Sequence, residues 1–195
     1  EGPAAAEALA ARLVDVLAPP IVADGAEVRV GASVGASIGV AGAVAPTDLL
    51  READIAAYRA KAAGKGRHEL FGDDLRREIA ERADLERAFA IALPAGDITF
   101  VYQPIVSLDT DRIYGIEALA RWNRKGHGPV PPDRFVAIAE SSDLVIDLGR
   151  HALRRATAQL AAWSEMGGEL AESSVFVNIS RRHVLGSTLA ADVRE

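Results

Sequence analysis

Residues 175–180, VFVNIS, are the run that most restricts what this chain can fold into. The run is short and almost wholly apolar, and it follows a long helical stretch that ends at Gly167 and Gly168. Such runs are typical of strands that are buried on both faces in a parallel sheet or barrel. We therefore predict an α/β chain in which Asn178 lies near the end of a buried strand.

The first part of the chain alternates helical and strand patterns. In residues 4–17, leucines recur at spacings of four, which predicts an amphipathic helix that ends before Pro19. Asp24 and Gly25 then join two β-rich runs, and this dipeptide is a strong hairpin signal. These patterns predict a helix followed by a hairpin.

The segment 45–66, APTDLLREADIAAYRAKAAGKG, predicts a second helix. Thr47 is its expected N-cap, and its expected apolar stripe runs through the residues listed next. That stripe is Leu50, Ile55, Tyr58 and Ala62. Glycines close the helix, and the following residues 67–71 predict a short strand, so that the whole piece has about 70 residues.

The remainder begins with a charged helix after Gly72 and continues as strand, hairpin and strand. The strand runs are ITFVYQPIVSL (98–108) and IYGIEALARW (113–122), with GHGPVPP (126–132) as a loop after them. A long helical stretch from 133 to 166 follows, with an expected break near Ser141 and Ser142. This order resembles neither an all-helical nor an all-β chain.

Charge and composition exclude several classes of function. The net charge of −6 argues against a protein that binds nucleic-acid polymers, which normally shows a basic stripe. With no cysteine, disulfides, thiolate catalysis and cysteine-based zinc sites are ruled out. The uncharged run 30–45 is short of a membrane crossing and rich in Gly, Ser and Val, so we predict buried β-structure there. We expect a cytoplasmic protein without membrane contact from this segment.

Glu117 and Asn178 are the candidate metal ligands, because each is predicted late in a strand. In parallel α/β architectures functional groups gather where strands end. A carboxylate and an amide oxygen are hard ligands that suit magnesium, manganese or calcium rather than zinc. The alternative is an acid at a strand end and an asparagine that forms a turn.

Arg121, Gln103 and two lysines are the candidate ligand-binding residues. Arg121 lies four residues after Glu117 and so projects to the same side of a strand, where it could hold a phosphate or pair with an acid. Gln103 could bond a base edge or satisfy backbone groups. Lys61 and Lys65 could bind an anion or complement the end of their helix. The four histidines have no ligand spacing and are expected at the surface or in packing.

Three separated segments of the second half resemble EAL domains, the cyclic di-GMP phosphodiesterases. They are YQPIVSLDTDRIYGIEALARW (102–122), PVPPDRFVAIAE (129–140) and VFVNIS (175–180), and the family name is the Glu-Ala-Leu at 117–119. In the first half, SVGASIGVA (33–41) and LLREADIAAYRAKAAGKGRHELF (49–71) resemble the closing part of a GGDEF domain, the diguanylate cyclase fold. The tandem order GGDEF then EAL is typical of the family.

The resemblance implies a fold and a division of the chain. Residues 1–71 would be the C-terminal part of a GGDEF-like α+β domain, and 72–96 a connecting helix. Residues 97–195 would be the N-terminal half of an EAL-type (β/α)8 barrel. Half a barrel leaves strand edges unpaired, so we expect self-association in isolation.

The resemblance also implies site roles. Glu117 and Asn178 would be ligands of Mg²⁺ or Mn²⁺, which activates water for attack on a phosphodiester. Gln103, Leu119 and Arg121 would line cyclic di-GMP, with Arg121 on a phosphate. Lys61 and Lys65 would lie where the cyclase family holds nucleotide phosphates, which implies GTP as a second ligand.

The chain departs from the family at several points. The letters GGDEF are absent, and EAL domains continue for more than a hundred residues beyond NIS, where further metal-binding acids and a lysine would lie. Ser142-Asp143 stands where the family commonly has Thr-Gly. We therefore expect a piece of a protein that hydrolyses cyclic di-GMP to the linear dinucleotide, with no catalysis by the piece alone. The alternatives are a non-catalytic receptor for cyclic di-GMP or GTP, and an interaction module.

Overall fold

The computed structural model describes residues 2–168, 170 and 173–194. The helices are α1 (Pro3–Leu17), α2 (Pro46–Ala62), α3 (Asp73–Ala95), α4 (Pro132–Glu140), α5 (Leu144–Met166), α6 (Arg181–Leu185) and α7 (Leu189–Asp192). The strands are β1 (Ile21–Ala23), β2 (Ala26–Val28), β3 (Val34–Ser37), β4 (His68–Phe71), β5 (Ile98–Val106), β6 (Ile113–Arg124), β7 (Gly128–Val130) and β8 (Ser174–Val177). The chain is mixed α/β, as predicted, and forms two compact units, Glu1–Ala80 and Glu81–Glu195.

The first unit contains the predicted hairpin and a parallel strand pair. β1 and β2 pair antiparallel, and the turn residues Asp24 and Gly25 both have positive φ, at 53° and 78°. Positive φ at both central residues is the signature of the tight hairpin turn that Asp-Gly favours. β3 pairs parallel with β4, with α2 as the connection between them.

The buried face of α2 is only partly the predicted one, since Ile55 packs against the core but other residues of the predicted stripe do not. Leu50 and Tyr58 are exposed at 69% and 75%, whereas Ala56 and Ala60 are fully buried. A Cβ on Gly35 of β3 would lie 2.1 Å from the carbonyl oxygen of Ala53, so strand and helix approach at backbone distance. Only small side chains fit at this point of contact, which accounts for the burial of Ala56 and Ala60.

Two other expectations for this unit are wrong. Thr47 is not the N-cap of α2, because Ala45 holds that position and Pro46 starts the helix. This placement follows from the fixed φ of proline, which suits a first helical turn. In the run 30–45 only β3 is a strand, and Val40 is 74% exposed, so buried β-structure is limited to four half-buried residues. Within the described residues, no helix has the length and apolarity that a membrane crossing needs.

The second unit is a four-stranded sheet with helices on one side. β5 and β6 form the predicted hairpin, with Gln103 directly opposite Glu117. β7 pairs antiparallel with the last residues of β6. The loop predicted at 126–132 therefore contains this short strand. β8 pairs parallel with β6, as its sequence predicts. The predicted helix break occurs between α4 and α5, at residues 141–143.

Helices α3, α4 and α5 pack on the sheet around three aromatic side chains. Phe89, Trp122 and Phe135 have ring centroids 5.4 to 6.1 Å apart, and each is at most 3% exposed. His151 of α5 adds a polar contact, with its Nε2 2.8 Å from the carbonyl oxygen of Ile98. These contacts fix the sheet face that carries the even-numbered residues of β6.

β8 is not buried on both faces. Phe176 is 41% exposed and Ser174 is exposed, while Val175 and Val177 are half-buried on the helix side. The ring of Phe176 lies over Gly115, where a Cβ would be 2.3 Å from Cε2. Among the described residues nothing covers the opposite face as the helices cover theirs, so this face of the sheet is open.

The division into a GGDEF-like part, a connecting helix and half a barrel stays a prediction. The boundary between the compact units falls inside α3, between Ala80 and Glu81. The sequence places it at Gly72, where the composition changes.

Candidate metal and ligand site

Glu117 lies level with the end of the parallel part of the sheet. β6 continues to Arg124, but its pairing with β8 ends at Ala118, which is opposite Val177. Asn178 is the first residue after β8. The sheet therefore brings the two candidate ligands to one edge, although β6 itself runs six residues further.

The side chains of Glu117 and Asn178 touch. Nδ2 of Asn178 donates a hydrogen bond of 2.7 Å to Oε1 of Glu117, across 61 positions of sequence. Asn178 is exposed and Glu117 is half-buried, so water reaches the pair. Two groups with hard oxygen atoms are thus joined where the parallel pairing of β6 and β8 ends, at a place that water reaches.

The other candidates of this unit lie on the same face. Gln103 is opposite Glu117 across the β5–β6 pair, and Leu119 and Arg121 follow Glu117 at alternate positions of β6. Alternate residues of a strand project to one side. Gln103 is exposed, and Leu119 and Arg121 are half-buried.

Among the described residues, the guanidinium of Arg121 makes one hydrogen bond. Its Nη1 donates to the carbonyl oxygen of Ala120 at 2.9 Å. A guanidinium has five N–H donors, so several remain for an anion. The arrangement suits the binding of a phosphate by the fork of Arg121.

A cavity of about 230 Å³ lies between the sheet and helices α4 and α5, and its lining includes Ala118 and Ala120 of β6 but neither Glu117 nor Gln103. Leu119, Arg121 and Asn178 line it together with Glu140 of α4, Gly149 of α5 and Ser180. The sequence interpretation missed the last three. Gly149 carried a signal, since a glycine inside an otherwise helical pattern often marks a close approach. Glu140 and Ser180 carried none beyond their place near helix ends.

Lys61 and Lys65 lie in the first unit. Both are exposed, and Lys65 has a positive φ of 61° between two glycines. Lys65 lines an open depression with Arg67 and His68, which also contains Glu7 and Glu69. Lys61 is not part of that lining, so the two lysines do not share this depression.

An ion pair holds the far end of β6. Nη2 of Arg124 lies 2.7 Å from Oδ2 of Asp84 on α3, and Arg124 is only 20% exposed. The hydrogen bond from Arg124 holds the pKa of the Asp84 carboxyl below its usual range. The strand that carries Glu117 and Arg121 is thereby fixed to a helix of its own unit.

The donor set fits part of a magnesium or manganese shell. Across the part of the chain that the structure describes, no three His, Cys, Asp or Glu side chains gather as a metal site. Mg²⁺ often keeps several waters and takes only one or two carboxylates plus substrate phosphates. Glu117, Asn178 and a phosphate held by Arg121 are compatible with that pattern.

Comparison with known proteins points to one family. The sequence profile described as "EAL domain" matches residues 82–195, more than half of the chain. An "Uncharacterized signaling protein" of Caulobacter vibrioides is 36% identical over 163 residues, which are 84% of this chain and 20% of that protein. A "Bifunctional diguanylate cyclase/cyclic di-GMP phosphodiesterase MucR" of Pseudomonas aeruginosa is 30% identical over 192 residues, 98% of this chain and 28% of that protein.

A solved structure is similar to part of this chain. It is described as "PaMucR Phosphodiesterase, c-di-GMP complex", and it superposes with a TM-score of 0.53 at 30% identity. The match covers 57% of this chain and 44% of that one. The chain spans between a fifth and just over a quarter of the length of the curated relatives it matches.

Proposed function

The chain belongs to the EAL family, and from this membership we propose that it is a piece of a protein that hydrolyses cyclic di-GMP to the linear dinucleotide. Relatives named as cyclic di-GMP phosphodiesterases, among them MucR, support a role in cyclic di-GMP signalling. The observation that carries the proposal is the contact of 2.7 Å between Asn178 and Glu117 at the open strand edge.

In this proposal Glu117 and Asn178 hold a divalent cation, Mg²⁺ or Mn²⁺. The Glu117 carboxylate supplies negative charge, and Asn178 supplies its amide oxygen after its side chain turns from the present hydrogen bond. Such a cation, when bound, supplies Lewis acidity at a phosphoryl oxygen and lowers the pKa of water. Because both side chains are accessible to water, the phosphodiester and the attacking water can reach them.

Arg121, Leu119 and Gln103 bind and orient the substrate in this proposal. Arg121 places its free N–H groups on a phosphate, next to the edge that carries Glu117. Leu119 adds an apolar wall to the cavity of about 230 Å³. Gln103 is opposite Glu117 on β5 and can bond the dinucleotide from the other strand. Holding the ester in one orientation is itself a large part of such catalysis.

Residues 1–71 are proposed to be the end of a GGDEF-like domain, with residues 97–195 the first half of an EAL-type barrel. The alignment with MucR supports the first part, because it covers 98% of the chain and MucR is named as a diguanylate cyclase as well. Lys61 and Lys65 would then face nucleotide phosphates, with GTP as ligand. Among the described strands the nine-residue β5 pairs only with β6, and its other edge supports the expected self-association.

A non-catalytic receptor for cyclic di-GMP is the second candidate. Within the described residues Glu117 belongs to no group of three His, Cys, Asp or Glu side chains, and a receptor requires no such group. A receptor needs the contacts of Arg121 and the cavity but no complete metal shell. The two candidates differ in product formation and not in binding.

Calorimetry and product analysis test these proposals together. Cyclic di-GMP is titrated into the chain with Mg²⁺ or Mn²⁺, and the linear dinucleotide is measured by chromatography. We expect binding that Arg121→Lys weakens by about tenfold, since lysine cannot bond a phosphate bidentately. Arg134→Lys is the control, because Arg134 forms only a long contact of 3.8 Å to Glu81.

We expect no product from the 195 residues alone and product from the longer protein. Product from the short chain would contradict its proposed inactivity. Binding without product from the longer protein would select the receptor. Absence of binding would overturn cyclic di-GMP as the ligand.

A further inference from the structure

His183 is a buried polar residue that the proposed chemistry does not use. It is 0% exposed, and it is the one fully buried polar or charged residue in the part of the chain that the structure describes. It lies on the five-residue helix α6, which follows the loop 178–180 directly. A buried imidazole costs free energy unless it is bonded, so its environment requires an explanation.

One ring nitrogen of His183 binds an acid. Nε2 lies 2.9 Å from Oδ2 of Asp192 on α7. Asp192 also accepts from Nε of Arg150 at 2.9 Å, and Arg150 contacts Asp147 one turn earlier in α5. The hydrogen bond from His183, followed by that from Arg150, holds the pKa of Asp192 below its usual range. Asp192 is therefore an acceptor at neutral pH, and Nε2 of His183 carries the hydrogen.

The other ring nitrogen faces the backbone of α5. A Cβ on Gly149 would lie 2.5 Å from Nδ1, and Nδ1 has no hydrogen-bond partner among the described residues. The ring is thus fixed on two sides, by Gly149 and by Asp192. A larger residue at position 149 would clash with the ring, and a shorter side chain at position 183 would not reach Asp192.

The backbone of His183 holds the loop that carries Asn178. Its amide donates to Oγ of Ser180 at 3.2 Å and to the Ser180 carbonyl oxygen at 3.1 Å. Ser180 is only two residues after Asn178 and lines the same cavity. A displacement of the His183 ring would therefore move Ser180, and with it Asn178 relative to Glu117.

We infer that His183 is a positioning residue, which fixes Asn178 against Glu117 through Ser180 while Gly149 and Asp192 fix its ring. The contact of 2.7 Å between Asn178 and Glu117 then depends on a side chain that touches neither of them. The link to metal binding rests on the proposed function, whereas the link to the position of Asn178 does not.

Nuclear magnetic resonance of the Asn178 side-chain amide tests this inference in the metal-free chain. The variants are His183→Asn, whose amide is too short to reach Asp192, and His183→Gln, whose amide nitrogen takes the place of Nε2. We expect the Asn178 amide protons to move upfield in His183→Asn, as the hydrogen bond to Glu117 lengthens. We expect His183→Gln to restore the wild-type shift.

Addition of Mn²⁺ gives the second measurement. Paramagnetic broadening of the Asn178 amide should need about tenfold more Mn²⁺ in His183→Asn, the size of effect that outer-shell residues have on metal affinity. Leu85→Ala is the control for simple destabilisation, because Leu85 is a core residue of α3 outside the contacts of the loop.

An unchanged Asn178 shift in His183→Asn would overturn the inference, as would an equal change in Leu85→Ala or a failure of His183→Gln to restore it. A wild-type chain that Mn²⁺ does not broaden would contradict the proposed metal site. The metal-free shifts would still decide whether His183 positions Asn178.

Discussion

Nδ2 of Asn178 donates a hydrogen bond of 2.7 Å to Oε1 of Glu117. Glu117 is also the residue with which Asn178 is proposed to bind a cation. The amide nitrogen therefore occupies part of the space where a cation would lie. To bind a cation, the Asn178 amide has to break this hydrogen bond and turn its oxygen toward the metal. The pair is consequently a sensitive point for substitution.

Asn178→Asp should bind Mn²⁺ more tightly and lower the stability of the metal-free chain. An added unit charge about 4 Å away contributes roughly 1 to 4 kcal/mol, which corresponds to about fivefold or more in affinity. Without metal, two neighbouring carboxylates repel each other. Mn²⁺ titration and thermal unfolding measure the two effects, and Ser174→Asp, at the start of the strand that precedes Asn178, is the control. Weaker Mn²⁺ binding in Asn178→Asp would contradict a cation at this pair.

Gly35→Ala should destabilise the first unit. The added methyl would lie 2.1 Å from the Ala53 carbonyl oxygen and 2.2 Å from the Ala57 nitrogen, so backbone atoms must move. Overpacking of this kind costs about 1 to 3 kcal/mol. Urea unfolding compares this variant with Gly31→Ala, where the same methyl meets nothing within 4 Å. Equal stabilities of the two variants would refute the close approach of α2 and β3.

Asp84→Asn should remove a contribution to stability that depends on pH. Because Arg124 lowers the pKa of Asp84 in the folded chain, the ionised carboxyl stabilises the fold fully above its unfolded pKa of about 3.9. That contribution is lost as the pH falls through the lower, folded pKa. The difference in melting temperature between wild type and variant should be largest near neutral pH and disappear in acid. A difference in melting temperature that does not change with pH would contradict the effect of this ion pair.

Phe89→Ala should be among the most destabilising substitutions in the second unit. Phe89 is 0% exposed and contacts both Trp122 and Phe135, so its removal leaves a cavity that costs about 3 to 5 kcal/mol. Phe176→Ala removes the same side chain from the open face and should cost about 1 kcal/mol or less. Chemical unfolding measures both. A similar loss in the two variants would mean that the open face is covered.

The sequence predicts the elements better than it predicts their buried faces. Helices such as α2 and the β5–β6 hairpin follow from periodicity and turn residues. The exposure of Leu50 and Tyr58 does not, because it depends on how closely β3 approaches α2 at Gly35. That distance is a tertiary property, and spacing within one helix does not contain it.

In the candidate site, too, the sequence predicts some features and misses those that depend on tertiary packing. The sequence placed Glu117 and Asn178 near strand ends, and the parallel pairing of β6 with β8 accounts for their contact. Their roles as ligands, and those of Gln103, Leu119, Arg121, Lys61 and Lys65, stay predictions. His183 was expected at the surface or in packing, and its bond to Asp192 could not be foreseen, because it joins two short helices whose docking only the folded chain defines.

The absence of a side chain at Gly115 also selects the alignment of two strands. The Phe176 ring lies over Gly115, and a slip of β8 by two residues would set that ring on Ile113 or Glu117 instead. The same slip would carry Asn178 about 6.6 Å along the sheet, since each strand residue advances by about 3.3 Å. A slip of one residue would turn every side chain of β8 to the opposite face. Gly115 therefore helps to define the register of β8 against β6. The contact between Glu117 and Asn178 depends on the missing side chain at this glycine as well as on the two side chains that form it.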